Sequence, residues 1–322
     1  MFFNVEGYFR DLIEKKGGFY NCHAHLDRAY TLTDENFNVS NKNLKQKWHL
    51  VDTIKKEITV KQLTTNMMNA VTYQKMNGAR GICTFLDFDE VSESKPYEAF
   101  ENVKGNFGAL IDLKCANQTL KGILDEKNRY YFDMGSAYCD IIGSLPARDI
   151  DLEAHLDIVF KRAKQLSKKV HVHVDQFNSS EEKETELVLN KIVEYGLEGQ
   201  VSLIHCISLS SHPRNYRNFI YDYLKETGTS IICCPRPWLD SPRKEELQPV
   251  HNSITPVDEM LEYEIQVGIG TDNISDLMLP FNDGDMYKEL ETLAISTRLY
   301  DVDKLITIAT NGKNFIWFLM KL

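Results

Sequence analysis

The stretch Phe19-Tyr20-Asn21-Cys22-His23-Ala24-His25 is a short run rich in apolar and aromatic residues that ends in two histidines. Polar or helical segments bound it, and this length and composition predict a β-strand. Alternate side chains of a strand share one face, so His23 and His25 point the same way. The sequence therefore predicts a first strand that directs two imidazoles at one side of its sheet.

Seven more runs of this kind recur along the chain with a regular spacing. The eight predicted strands are 19–25, 81–85, 110–116, 140–145, 170–174, 201–206, 230–234 and 267–271. Helical spacing of apolar residues fills the gaps between the later strands, at 152–168, 181–195, 214–225 and 256–265. Strand and helix alternate, which predicts a parallel sheet, and eight βα units of roughly 30 residues predict a (β/α)8, or TIM, barrel.

The organisation of the chain indicates one domain. No linker, charge block or repeat interrupts the strand spacing, so we expect a single barrel domain over residues 1–322. The longer segment 26–77 follows the first strand, and we expect it to cover the barrel mouth. Two helix starts carry capping signals: Ser179 with Glu182 fits a capping box, and Thr255 precedes a proline and an acid.

Composition excludes several classes of protein. The 37 Lys and Arg residues against 47 Asp and Glu residues give a net charge of −10, which argues against a nucleic-acid partner. No stretch approaches the roughly 18 apolar residues that span a bilayer, and the amino terminus lacks the apolar core of a secretion signal. We therefore expect a cytoplasmic protein without a membrane partner. The seven cysteines, an odd number, indicate reduced thiols rather than a disulfide framework.

Metal-competent side chains recur where the predicted strands end. His173 ends the fifth strand, His205 the sixth, and Asp272 follows the eighth. In a barrel the carboxyl ends of all strands meet at one rim, so these residues would join His23 and His25 there. Packed, hydrogen-bonded core histidines are the alternative interpretation. Imidazole and carboxylate ligands suit Zn²⁺ first and are also compatible with Fe²⁺ or Mn²⁺.

Four motifs together resemble the amidohydrolase superfamily, and within it the cytosine-deaminase-like hydrolases. They are His-Ala-His-Leu-Asp-Arg (23–28), His-Val-Asp-Gln (173–176), Ile-His-Cys (204–206) and Gly-Thr-Asp-Asn-Ile-Ser-Asp (270–276). The resemblance extends from about residue 20 to about residue 310. It implies that one divalent metal ion is held by four residues: His23, His25, His173 and Asp272. Two-metal members bridge their ions through a modified lysine on the fourth strand, and residues 140–146 contain none.

The resemblance also implies the reaction. It indicates a hydrolase that cleaves a carbon–nitrogen bond other than a peptide bond, in a small polar nitrogen-containing substrate, with metal-activated water. Asp272 would accept the proton of that water, and His205 would bind the developing oxyanion. For the substrate, the resemblance indicates Gln118 as an amide contact and Asn273 as an orienting group. Trp238 could stack on a planar ring.

Two features depart from the family pattern. Gln176 occupies the position where ring deaminases carry a glutamate, and an amide cannot carry a proton. This favours substrates that need no ring protonation. It leaves two alternatives open: an impaired barrel that binds a small molecule or a partner, or a true aminopyrimidine or aminotriazine deaminase that tolerates Gln176. Only 22 residues precede His23, so we expect a barrel without the usual flanking β-sandwich domain.

Several further residues could have either a structural or a functional role. Asp27 and Arg28 would form either a salt bridge at the mouth or a substrate anchor. His171 faces inward two residues deeper than His173, and we expect a packed, hydrogen-bonded core histidine. The apolar run 315–320 could dock on the barrel or form the interface of a homo-oligomer.

Overall fold

Eight parallel strands form a barrel in the computed structural model, which describes residues 3–34, 36–37, 40, 42, 44–240 and 254–317. The strands are β1 Phe19–Ala24, β2 Ala79–Asp87, β3 Asp112–Gln118, β4 Ile142–Ser144, β5 Val170–Val174, β6 Val201–His205, β7 Ser230–Cys233 and β8 Val267–Ile269. All eight predicted strands are present. The third begins later than predicted, because Leu110 and Ile111 are hydrogen-bonded to Phe107 in a turn that ends the preceding helix.

Helices surround the strands and connect them. They are α1 Val5–Lys15, α2 Leu44–Glu57, α3 Val60–Met76, α4 Lys95–Phe107, α5 Glu126–Tyr138, α6 Leu152–Leu166, α7 Glu184–Tyr195, α8 Arg214–Glu226, α9 Pro235–Leu239, α10 Val257–Glu262, α11 Met286–Thr297 and α12 Val302–Thr310. The predicted (β/α)8 barrel is confirmed. The carboxy-terminal run lies partly outside the described residues; within them, Phe315 and Ile316 are buried against the barrel interior.

The sheet closes on itself between β3 and β4. The hydrogen-bonded strand order is β3-β2-β1-β8-β7-β6-β5-β4, and the two end strands meet at a parallel bridge between Ala116 and Ile141. There the Ile141 amide donates to the Cys115 carbonyl oxygen at 3.1 Å. Closure leaves no free sheet edge and brings every strand end to one rim.

The inner and outer faces of β5 show how the sequence positions its histidines. Val170, Val172 and Val174 belong to the buried cluster that includes the inward faces of α6 and α7. The side chains of His171 and His173 alternate with these valines and therefore face the barrel axis. Burial of the valines against the helices fixes the register, and a shift by one residue would turn both imidazoles away from the mouth.

Helix α2, part of the long segment after β1, lies across the mouth. Val51 packs with three apolar residues of the barrel loops: Leu120, Leu145 and Met278. Lys47 donates to the Met278 carbonyl oxygen at 3.0 Å, and Lys55 lies 3.2 Å from Asp87. These contacts agree with the expectation that this segment covers the mouth. Helix α3 is the helix that connects β1 to β2 on the outside of the barrel.

Both predicted helix starts are wrong. Helix α7 begins at Glu184 rather than after Ser179, because the carboxylate of Asp175 accepts from the Glu184 and Thr185 amides at 2.9 and 3.3 Å. Helix α10 begins at Val257, and the Thr255 hydroxyl donates to the His205 carbonyl oxygen instead of capping it. In the first case a residue beside the site provides the cap, and in the second the predicted cap residue bonds a site residue and no side chain caps the helix.

No helix in the described part of the chain is both long enough and apolar enough to cross a membrane.

Gly143 and Gly105 provide a matched test of barrel closure. An added Cβ at Gly143 would lie 1.8 Å from the Asn117 carbonyl oxygen, at the β3–β4 seam, whereas one at Gly105 on exposed α4 meets nothing within 4 Å. We expect Gly143→Ala to lower the free energy of unfolding by about 3 kcal/mol. Gly105→Ala should raise it by about 0.5–1 kcal/mol because alanine is the better helix former. Chemical denaturation measures both, and equal effects would contradict this account of the seam.

Candidate active site

Four metal-competent side chains meet at the carboxyl end of the barrel. The Nε2 atom of His25 lies 3.2 Å from Asp272 Oδ1, and that of His23 lies 3.5 Å from the same oxygen. The His173 ring centre is 4.8 Å from that of His23. Ligand atoms of His23, His25 and His173 all lie within 4.8 Å of one another. The His205 Nε2 atom is 3.8 Å from Asp272 Oδ2, so the structure brings together all five rim residues that the sequence indicated.

Pairing between β1 and β8 positions Asp272 beside the two histidines. The Asp272 amide donates to the His23 carbonyl oxygen at 2.9 Å, and the His25 amide donates to the Asp272 carbonyl oxygen at 3.1 Å. Gly270 permits this approach, since a Cβ there would lie 2.7 Å from the His23 carbonyl oxygen. The strand contact that closes this seam therefore also sets the spacing of the site.

The backbone turns abruptly where these strands end. His205 and Asp272 adopt left-handed conformations with φ of 77° and 57°, and Asp175 follows His173 with φ of 52°. Residues other than glycine rarely occupy this region, and when they do they concentrate at functional sites. At His205 and Asp272 the turn leaves the side chain on the pocket wall, whereas the Asp175 carboxylate turns to the first amides of α7.

Burial sets the protonation states of the site. It lowers the pKa of His25 and of His173 well below the ordinary value and that of His205 to about 4. Burial alone would raise the pKa of Asp272, but the imidazoles of His23 and His25 beside its carboxylate hold it well below its usual value. At neutral pH His25, His173 and His205 are therefore neutral and Asp272 is a carboxylate, which is the state that metal ions bind.

The donor set fits a metal ion. Both ring nitrogens of His23 and Nδ1 of His25 are buried without a hydrogen-bond partner in the described part of the chain. A buried nitrogen without a hydrogen-bond partner lowers the stability of the folded protein unless a bound ligand or ion satisfies it. Three imidazoles and a carboxylate are a common ligand set of zinc sites, so His23, His25, His173 and Asp272 could hold one ion.

A buried network orients His173. Its Nδ1 atom lies 3.3 Å from the Ser144 carbonyl oxygen, which leaves Nε2 free to face the site. The Ser144 hydroxyl contacts His155 Nε2 at 2.9 Å, and His155 Nδ1 contacts Asp149 at 2.6 Å. Asp149 also accepts the Ile123 amide at 2.8 Å. The chain of contacts joins β4, α6 and the loop after β3 behind the candidate ligand.

A pocket opens over these residues and encloses about 360 Å³ that protein atoms do not fill. Its walls hold most of the residues singled out from the sequence, together with three apolar side chains. They are His25, Arg28, Gln118, Leu120, Leu145, His173, Gln176, His205, Asp272, Asn273 and Met278. Gln118 and Gln176 each bring a buried, unpartnered amide atom to the pocket, while the Asn273 amide donates to Asp276 at 2.5 Å.

Two residues singled out from the sequence lie in the core. Trp238 is only 1% exposed within the main core and is not among the residues of the pocket wall, a position that favours packing over contact with a bound ring. His171 is fully buried as expected, but neither ring nitrogen has a hydrogen bond among the described residues. Burial lowers the pKa of His171 to about 3, so it is a neutral core residue.

Sequence reasoning missed Cys234 at the site. Its sulfur joins His23 and Asp272 in a second group whose ligand atoms lie within 4.8 Å of one another. Burial raises the pKa of this thiol well above its ordinary value, so it is protonated and a poor ligand. Its position just after β7 was the available signal, because every strand end reaches this rim.

Comparison with known proteins finds relatives of this chain in sequence. The chain is 43% identical over 260 residues to an uncharacterized protein of Haemophilus influenzae, covering 79% of this chain and 94% of that protein. It is 26% identical over 304 residues to N-isopropylammelide isopropyl amidohydrolase from a Pseudomonas species, covering 88% and 70% of the two chains. No protein-family model matches it.

The chain is similar to amidohydrolases in sequence and in fold. Its barrel superposes on 5-methylcytosine deaminase from Klebsiella pneumoniae, solved with 5-fluorocytosine, with a TM-score of 0.85 at 20% identity. That match covers 92% of this chain and 73% of the deaminase. The predicted enzyme class, a hydrolase of carbon–nitrogen bonds other than peptide bonds, is confirmed.

The network behind His173 predicts a pH dependence of stability. Burial lowers the pKa of His155 from its ordinary value, so as the pH falls through 6.5 the unfolded chain takes up a proton at this residue before the folded chain does. Unfolding free energy falls as pH falls below this value. We expect His155→Gln to reduce that fall by up to about 1.4 kcal/mol per pH unit.

The control for this prediction is Ser144→Ala, which keeps the imidazole. It should lower the free energy of unfolding by about 1 kcal/mol but preserve the wild-type pH slope. Denaturant titrations at pH 7, 6 and 5 measure all three proteins. Identical slopes for the wild type and His155→Gln would show that His155 does not titrate differently in the folded and unfolded states.

Proposed function

We propose that this protein is a metal-dependent hydrolase that cleaves a carbon–nitrogen bond of a small, polar, nitrogen-containing molecule. The observation that carries the proposal is the convergence of His23, His25, His173 and Asp272 within one buried cluster, with orphaned ring nitrogens directed at its centre. We propose one divalent ion, with Zn²⁺ as the first candidate, because the ligands are imidazoles and a carboxylate and four ligands suit tetrahedral coordination.

The side chains around this cluster supply the remaining chemistry. A divalent ion, when bound, lowers the pKa of a water and polarises the bond under attack. Asp272 is ionised and lies beside the histidines, so it can accept the proton of the attacking water and return it to the leaving nitrogen. His205 is neutral and lines the same pocket, where one ring N–H can donate to the oxyanion that develops.

Gln176 indicates which substrates suit this pocket. Its Nε2 atom is buried without a partner in the described residues, so it can donate a hydrogen bond but cannot transfer a proton. A carbonyl or an exocyclic amine on an already electron-poor ring needs no such transfer. One relative is named as an amidohydrolase of N-isopropylammelide. The small pocket here suits a molecule of one ring.

Metal content tests the centre directly. We expect one ion per chain, measured by elemental mass spectrometry on untagged protein after exposure to Zn²⁺ or Fe²⁺ and desalting. His23→Ala should retain less than about a tenth of an ion, since loss of one of four ligands weakens a zinc site severely. His49→Ala, an exposed histidine on α2, is the matched control and should keep the full complement. Wild-type protein that holds no ion would refute the metal centre.

Substitution of Gln176 separates an active hydrolase from an impaired deaminase. We expect the wild type to hydrolyse at least one member of a panel of cyclic amides and aminated heterocycles. For that substrate Gln176→Glu should give no gain in kcat/KM, because the reaction does not depend on ring protonation. A gain of about 100-fold or more, the ordinary contribution of a general acid, would instead support a deaminase that has lost its proton shuttle.

A further inference from the structure

Arg28 is a buried cation on the wall of the pocket. Its side chain is 6% exposed, and it lines the same cavity as His25, His173 and Asp272. Burial opposes its charge, but the carboxylates of Asp87 and Asp27 more than compensate and raise its pKa above the ordinary value. The guanidinium therefore stays charged on the pocket wall at neutral pH.

The guanidinium makes no hydrogen bond within the described residues. Its nearest carboxylate oxygens are Asp27 Oδ1, 3.9 Å from Nε, and Asp87 Oδ2, 3.9 Å from Nη1. Both distances exceed hydrogen-bond range, and Nε is buried without a partner. Buried arginines normally satisfy their donors with carboxylates or carbonyl groups, so these unused donors call for a partner from outside the chain.

The neighbouring carboxylates have other contacts as well, although Asp27 Oδ1 and both Asp87 oxygens have no hydrogen-bond partner among the described residues. Asp27 Oδ2 accepts from the Asp87 amide at 2.9 Å. Asp87 lies 3.2 Å from Lys55 on α2, and Lys55 also bonds Asp89. At 3.9 Å both carboxylates stabilise the charge of Arg28 without accepting a hydrogen bond from it. The salt bridge between Asp27 and Arg28 that the sequence left open is thus present at this distance, and Lys55 forms a closer one with Asp87.

Two amides complete the recognition pattern. Gln118 is 3% exposed and its Oε1 atom has no partner, so it offers an acceptor. The buried Nε2 of Gln176 offers a donor on the same pocket wall. Guanidinium donors, an amide donor and an amide acceptor together complement a ring edge on which an N–H lies between two oxygens.

We propose that Arg28 binds a negatively charged ring oxygen of the substrate, so that this enzyme selects anionic oxo-heterocycles of one ring. The inference rests on the proposed function, which it narrows from small polar nitrogen compounds to those that carry an oxyanion. An arginine provides charge-assisted hydrogen bonds to such an oxygen, and a neutral ring of the same shape would accept only weaker hydrogen bonds from it.

A matched pair of ligands tests this selection. Barbiturate is an anion at neutral pH, and uracil is a neutral ring of the same size with the same N–H and carbonyl edge. Isothermal titration calorimetry at pH 7.5 measures both dissociation constants on protein of known metal content. We expect the wild type to bind barbiturate at least about tenfold more tightly than uracil, because hydrogen bonds to charged groups are the stronger ones.

Three variants assign the preference to Arg28. Arg28→Gln should reduce the barbiturate preference to within about twofold while uracil binding changes little. Arg28→Lys should retain part of the barbiturate preference, because lysine keeps the positive charge but lacks the planar set of donors of the guanidinium. Lys121→Gln removes the same charge from a residue paired with Asp52 outside the pocket wall, and it should keep the wild-type preference. Thermal unfolding verifies that each variant is folded.

Several outcomes would overturn the inference. A preference that persists in Arg28→Gln would mean that the ion, not the arginine, binds the anion. Equal binding of the two ligands, or none of barbiturate, by the wild type would also refute it. Titration of metal-free protein separates this inference from the proposed function. A wild type that holds no ion yet prefers barbiturate refutes the metal centre and supports the anion site.

Discussion

The parallel pairing of β1 with β8 is the contact on which the site depends. These strands stand at opposite ends of the barrel sequence, and closing their seam places the Asp272 amide against the His23 carbonyl oxygen. Gly270 allows the backbones to approach, and the carboxylate then lies between two imidazoles. No local segment could form this arrangement, because its parts are about 250 residues apart and meet only when the barrel is complete.

The site accumulates features that a purely structural core would avoid. One pocket brings together three such features. They are a histidine ring nitrogen without a hydrogen-bond partner, left-handed backbone at His205 and Asp272, and the Arg28 guanidinium, which makes no hydrogen bond among the described residues. Each costs stability, and their concentration at one rim is the ordinary sign of a site shaped for a ligand. The rest of the barrel compensates through continuous apolar layers between the strands and the helices.

Helix α2, in the segment over the mouth, contributes both apolar and charged contacts next to the pocket. Helix α2 buries Val51 on the pocket roof and places Lys55 against Asp87 and Asp89. The same carboxylates stabilise the charge of Arg28. Covering the mouth in this way removes water from the site, which strengthens electrostatic interactions there. One inserted helix thus contributes both the roof of the pocket and part of its electrostatic environment.

Sequence pattern was enough to predict the barrel and the five residues of its rim, because strand period and strand count are local properties and the geometry of a parallel barrel then dictates where strand ends meet. It did not predict the start of α7, which the carboxylate of Asp175 caps, or the place of Trp238, which lies in the core and not on the pocket wall. It left the surroundings of Arg28 open. These features appear only in the folded chain, because caps, burial and charge compensation depend on contacts that the spacing of residues along the sequence does not record.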